Sequence, residues 1–254
     1  MYTNFPYRIS EKKLTSNITY IVDFKRRDVN GDKIKDNIYL LAKTPYGLDF
    51  PYANDITLVI QNGVNNMCTW IPLKENAGYM PKLYLQDYTG NGTDDILVSI
   101  FTGGSGGNYY YYVYSYYNNK PKKIFDFEEF NNRYKYDVIY KDNYKVEVIN
   151  LSTNIGYIID ISIEDPIYLK KIYDEKGKLK NPVSGDVHDL SGLDPISVDG
   201  DEIYELIALQ RISGKYLSDT LGYVRTVLKW NGVQFEPVEQ TIQREITIKG
   251  SKAN

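Results

Sequence analysis

Three segments of the chain align without gaps, and their spacing constrains the fold more than any other feature. Asp28 to Asp36 runs into Asn37-Ile38-Tyr39-Leu40-Leu41, and Asp87 to Asp95 runs into Ile96-Leu97-Val98-Ser99-Ile100. Ser197 to Glu205 runs into Leu206-Ile207-Ala208-Leu209-Gln210. Each segment carries oxygen-bearing side chains at positions 1, 3, 5 and 9 and glycine at position 4, then an apolar stretch rich in β-forming residues. The starts lie 59 and 110 residues apart, and 110 is twice 55, so a degenerate copy is expected between the second and third segments.

In that interval Tyr134 to Tyr140 and Tyr144 to Leu151 read as strands joined by Lys141-Asp142-Asn143, too short for the oxygen-rich loop. Turn pairs follow the motifs at similar offsets: Asn62-Gly63, Asn118-Asn119 and Asn231-Gly232. The repeating unit is therefore strand, oxygen-rich loop, strand, loop, strand, tight turn, strand. In the first unit this predicts strands at Ile18 to Phe24, Asn37 to Lys43, Ile56 to Gln61 and Cys68 to Leu73. No long stretch carries a capped apolar stripe of helical period, so the chain reads as nearly all β. Four strands in a unit of roughly 50 to 60 residues predict a small β-propeller of four blades, with five as the alternative. The approximate repeats are 15–78, 79–130, 131–180 and 181–242 of a single domain, leaving 243–254 as a closing strand or tail, with Glu245 to Ile248 as the strand.

Composition excludes several classes. At 254 residues with 42% hydrophobic and 25% charged residues, the chain can bury a full core. A net charge of -3 gives no electrostatic case for nucleic acid. No apolar run reaches membrane-spanning length, and Met1 to Arg8 lacks a basic segment followed by an apolar one, so neither membrane insertion nor a secretory leader is expected. The single cysteine, Cys68, forms no internal disulfide and reads as a small buried hydrophobe. The single histidine, His188, excludes two-histidine metal sites; it lies in a Ser/Gly/Asp-rich stretch read as an exposed loop, with no nucleophile motif beside it.

Alternate oxygen-bearing residues on a tightly curled loop point inward, and a hard cation such as Ca²⁺ takes six to eight oxygen ligands. The candidate metal ligands are Asp28, Asn30, Asp32, Ile34 and Asp36 in the first loop, then Asp87, Thr89, Asn91, Thr93 and Asp95 in the second. The third offers Ser197, Asp199, Asp201, Ile203 and Glu205. Ile34, Thr93 and Ile203 would contribute backbone carbonyls, and Gly31, Gly90 and Gly200 would allow the turn. Tyr39, Val98 and Ala208 at position 12 exclude an EF-hand, which needs Glu there. Against calcium stands the ordinary use of Asp, Asn and Gly in turns that satisfy their own backbone. By carboxylate count the first loop would bind most tightly and Asp94 would face the other side of its strand. One to three structural calcium ions are expected, each adding about 2.7 kcal/mol at 100 times its Kd.

These loops resemble the FG-GAP or VCBS-type repeats, whose Asp-x-Asp/Asn-Gly-Asp-Gly-x-x-Asp loops bind calcium between propeller strands. Asp28, Asn30, Asp32 and Asp36 match that pattern, as do Asp87, Asn91 and Asp95, while Ser197 departs from it. The order of the chain, including Gly103-Gly104-Ser105-Gly106-Gly107 before a tyrosine run, is similar to small VCBS-repeat proteins of spore-forming bacteria, some labelled spore-coat-like. That resemblance implies a spore or cell-surface setting.

The run from Tyr109 to Tyr117, read as a strand, places Tyr110, Tyr112, Tyr114 and Tyr116 on one face, either as interior packing or as an aromatic surface for a partner. Thr102 to Gly107 lacks a P-loop ending and reads as a flexible connection. Glu128 with Glu129, or Asp160 with Glu164 and Asp165, are the acids a glycosidase pair would draw on, though solvated surface charge is the stronger reading of them. The function expected is a non-catalytic, calcium-stabilised binding or structural module for a protein or glycan partner. The alternatives are a glycoside-processing enzyme and a spore or cell-envelope assembly protein.

Overall fold

The computed structural model describes residues 18–47 and 49–244. Its first strands are β1 (Thr19–Arg27), β2 (Asp36–Lys43), β3 (Tyr52–Gln61) and β4 (Cys68–Pro72). A second meander follows in β5 (Gly78–Gln86), β6 (Asp95–Phe101), β7 (Tyr109–Ser115) and β8 (Lys122–Asp126). Helix α1 (Phe127–Arg133) leads into β9 (Tyr136–Lys141), β10 (Lys145–Asn150) and β11 (Ile155–Asp160), closed by helix α2 (Pro166–Ile172). The last meander is β12 (Asp186–Ile196), β13 (Glu205–Ser213), β14 (Thr220–Trp230) and β15 (Phe235–Gln243).

The chain is all-β with antiparallel sheets. Strand order in the eight-stranded sheet is β1-β2-β3-β5-β6-β7-β8, with β4 also on β3, so it joins the first two meanders. The junction is narrow, consisting of Tyr52 opposite Tyr79 and Ala53 opposite Gly78. The other sheets are β11-β10-β9 and β12-β13-β14-β15. Among the described residues the strand pairing makes three sheets, and none of them closes on itself into a barrel. The third unit has three named strands; a short segment before β12 completes it, through the Gly185 amide to the Val138 carbonyl at 2.9 Å and a bridge between Ile139 and Ser184. The expected closing strand at Glu245 to Ile248 lies outside the described residues.

Alternation explains the half-covered strands. In β2, Ile38, Leu40 and Ala42 are fully buried while Tyr39, Leu41 and Lys43 are partly open. The β6 residues from Asp95 to Ile100 are all buried, which fits a strand covered on both faces. One core cluster joins the first two units to Leu190, Leu193, Leu206, Ala208, Leu228 and Phe235 of the fourth. The other lies between the third and fourth units around Val146, Val148, Ile172 and Val224.

The two helices depart from the sequence expectation, and both have local causes. Asp126 caps α1, its Oδ1 accepting from the Glu128 amide at 2.9 Å, with Glu128 and Glu129 in the first turn. Asp165 caps α2, accepting from the Ile167 and Tyr168 amides, and Pro166 occupies the first turn. Each helix has seven residues, too short for a periodic stripe to register. Cys68 is exposed, because it opens edge strand β4. Among the described residues no helix is long and apolar enough to cross a membrane.

Candidate functional site

The three oxygen-rich segments form equivalent corners. At each, the position-9 carboxylate is buried and accepts the position-2 amide: Val29 to Asp36 at 3.1 Å, Tyr88 to Asp95 at 3.1 Å and Val198 to Glu205 at 3.2 Å. The position-7 amide bonds the position-5 side chain in all three, from Ile34 to Asp32, Thr93 to Asn91 and Ile203 to Asp201. In the first two corners the leading aspartate accepts the amides at positions 3, 4 and 6. Only a left-handed backbone allows this, with φ of 86° at Gly31, 67° at Lys33, 71° at Gly90 and 78° at Gly92. Ser197 has no carboxylate to gather amides, and its hydroxyl instead bonds the Asp201 carbonyl at 2.8 Å.

Tertiary contacts fill each corner. The Gly63 amide donates to Asp36 Oδ1 at 2.9 Å. Asn119 Oδ1, from the β7–β8 turn, accepts from Asn30 Nδ2 at 3.1 Å and Asn62 Nδ2 at 2.9 Å, tying the first two units together. The second corner meets the third: the Tyr204 amide donates to the Asp87 carbonyl at 2.8 Å, and a Cβ at Gly90 would stand 3.0 Å from Ile203. In the third corner Lys229 Nζ lies 2.9 Å from Glu205 and 3.3 Å from Asp199. An ammonium group therefore stands where a cation was expected.

Burial pushes the Asp95 carboxyl up to about 6, against hydrogen bonds from Ser115, Thr89 and Tyr88 that favour its charged form. Burial likewise raises Asp36, and the charges of Asp32 and Asp28 raise it further. Asp94 turns away from the loop and pairs with Arg27 at 3.5 Å, as strand alternation requires. Among the described residues, no group of three or more Asp, Glu, His or Cys is placed to hold a metal ion. In the loops as folded, backbone amides engage the carboxylates of the first two corners and Lys229 those of the third.

The tyrosine row is not an exposed surface. Tyr112, Tyr114 and Tyr116 are buried, and half-buried Tyr110 packs against Phe127 with ring centroids 4.9 Å apart. Both faces of β7 meet core, since Tyr111 and Val113 on one side and Tyr112 and Tyr114 on the other all belong to the first cluster. Tyr112 accepts the Glu75 amide at 2.9 Å, and the Tyr116 and Thr69 hydroxyls meet at 2.6 Å. Four of the five acids weighed for glycoside chemistry have other partners. Glu128 pairs with Lys74, Asp160 with Lys145 and Glu164 with Arg244, while Asp165 caps α2. The Lys145 ammonium beside Asp160 holds that carboxyl well below the usual range. His188 stands half-buried on β12 with Nε2 3.1 Å from Arg211 Nη2. Sequence alone could not reveal that pairing, which comes from the β12–β13 register.

Comparison with known proteins corrects the family. A family model described as the YybI C-terminal domain matches residues 134–243, which hold β9 to β15 and α2. Over 231 residues the chain is 43% identical to "Uncharacterized protein YybI" of Bacillus subtilis (strain 168), covering 91% of this chain and 86% of the relative. No solved structure matches. The resemblance to FG-GAP and VCBS repeats is overturned by these matches. Asp/Asn/Gly spacing recurs wherever a corner satisfies its own amides, so it identifies a turn and not a lineage. With nine-tenths of its length aligned to that bacterial relative, the chain belongs to the YybI family.

Proposed function

We propose that the chain is a non-catalytic binding or structural module that recognises a protein or glycan partner. The observation that supports this is a group of exposed apolar side chains on the β3–β4 hairpin. Trp70 is 62% exposed, Met67 70% and Val64 65%, on a hairpin whose outer strand, among the described residues, pairs with β3 alone. Exposed Trp and Met on a rigid edge are a common anchor for a partner surface, and the indole face suits a sugar ring equally. Glycan-array and protein-binding assays with wild type and Trp70→Ala test the proposal. The expected result is saturable binding lost in the variant at unchanged melting midpoint, without turnover. Hydrolysis of a bound sugar, or equal binding by the variant, would overturn it.

Calcium stabilisation is a second reading, favoured at the first corner alone. There Asp28 and Asp32 crowd Asp36 electrostatically, and no ion pair offsets them among the described residues. Occupation would require the loop to give up some of its amide bonds to Asp28. The supporting result is a melting midpoint raised in millimolar calcium relative to chelator and unresponsive in Asp32→Asn. An unchanged midpoint would leave the corners as metal-free clasps. A closed four-bladed ring belongs to the same reading; its support is the succession of four meanders, and an elongated solution-scattering envelope would count against it.

A further inference from the structure

A cavity of about 560 Å³ opens between the glycine-rich turn after β6 and the β13–β14 face of the last sheet, β12–β15. Ser105, Gly106 and Gly107 line one side, and Arg211, Ser218 and Thr220 the other. No lining residue is acidic, and Arg211 is the charged one. Its guanidinium is held by neutral acceptors: Nη1 donates to the Leu217 carbonyl at 3.0 Å and the Asp219 carbonyl at 3.5 Å, and Nη2 meets His188 Nε2. Among the described residues its Nε–H and second Nη2 hydrogen have no acceptor. Arg27, Arg133, Arg225 and Arg244 each pair with a carboxylate, whereas Arg211 and the exposed Arg26 pair with none among the described residues, and of these two Arg211 lines the cavity.

The opposing turn supplies complementary donors. The Ser105 and Gly106 amides donate to no acceptor among the described residues, and Gly107 holds a left-handed φ of 71°. A fixed guanidinium in one wall, with serine and threonine hydroxyls beside it and a turn of unpaired amides in the other wall, is a donor set for an oxyanion, since charge-assisted bonds from a planar fork are the strong ones. The volume exceeds what a bare phosphate fills and leaves room for a sugar-sized body beside the half-buried Tyr223 ring. We propose that this cavity binds a sugar phosphate, with the phosphate on Arg211. The inference is independent of the hairpin patch and stands or falls separately from the binding-module reading.

His188, the single histidine of the chain, is a built-in reporter. Burial and the Arg211 charge hold its pKa down, while Asp186 and Asp189 push it up. An oxyanion on Arg211 offsets the guanidinium field, so His188 should titrate at higher pH. The experiment follows the His188 ring resonance by NMR while the protein is titrated at low salt with glucose 6-phosphate, inorganic phosphate or uncharged glucose. Both phosphates are expected to give saturable shifts and a raised His188 pKa, with the ester binding at least about tenfold more tightly, roughly 1.4 kcal/mol. Glucose should give none. Ser218→Asp, at an exposed rim position, should weaken both phosphates at least tenfold with the fold intact, and Arg211→Gln should abolish the response. Absence of saturation with either phosphate, equal affinity for the two, or wild-type binding by Ser218→Asp would overturn the proposal.

Discussion

The position-9 carboxylates do the same local work at three places with three electrostatic outcomes. Glu205 has the Lys229 ammonium 2.9 Å away, Asp36 has two aspartates as neighbours, and Asp95 is the most displaced, pushed up to about 6 mainly by burial. For Asp95 the folded state binds its proton more tightly than the unfolded chain. Its contribution to stability is therefore full below the ordinary value of 3.8 and is lost as pH rises through about 6, a difference of about 3 kcal/mol. Urea unfolding of wild type and Asp95→Asn between pH 4 and 7 should show the wild type losing stability relative to the variant as pH rises; parallel curves would contradict this. Removing the charge of Lys229 with Lys229→Met leaves buried Glu205 without its counter-ion. The melting midpoint should fall, and adding Glu205→Gln should recover part of the loss.

Strand periodicity was legible because alternation survives in a single sequence, as in β2, where the expected Asn37 to Lys43 became Asp36–Lys43. The helices were missed although Asp126 followed by Glu128 and Glu129, and Asp165 followed by Pro166, are helix-start signals written in the chain. Asp126→Ala should cost about 1 kcal/mol through the lost cap of α1, measured by denaturant unfolding. The tyrosine strand was ambiguous for a physical reason: an aromatic row with polar tips suits a binding face or an interior, and only the strands and turns around it decide. Because the Tyr112 hydroxyl accepts the Glu75 amide, Tyr112→Phe should cost about 1 to 2 kcal/mol; a neutral result would mean water replaces the bond.

At the scale of the whole molecule the β12–β15 sheet is the shared wall, since its residues enter both core clusters. Leu206, fully buried on β13, belongs to the cluster reaching the first two units. Leu206→Ala should cost about 2 to 5 kcal/mol and move one cooperative transition; two separated transitions would mean that the clusters unfold independently. The sequence by itself determined the all-β class, the three recurring corners and most strand positions, because these depend on local alternation and on side chains that satisfy nearby amides. The tertiary structure alone decided what the corners hold and what the tyrosines touch. Asn119, Gly63 and Lys229 reach those corners from distant parts of the chain, and His188 meets Arg211 only through sheet register. Partners set by pairing and packing across such separations leave no periodic trace in the sequence.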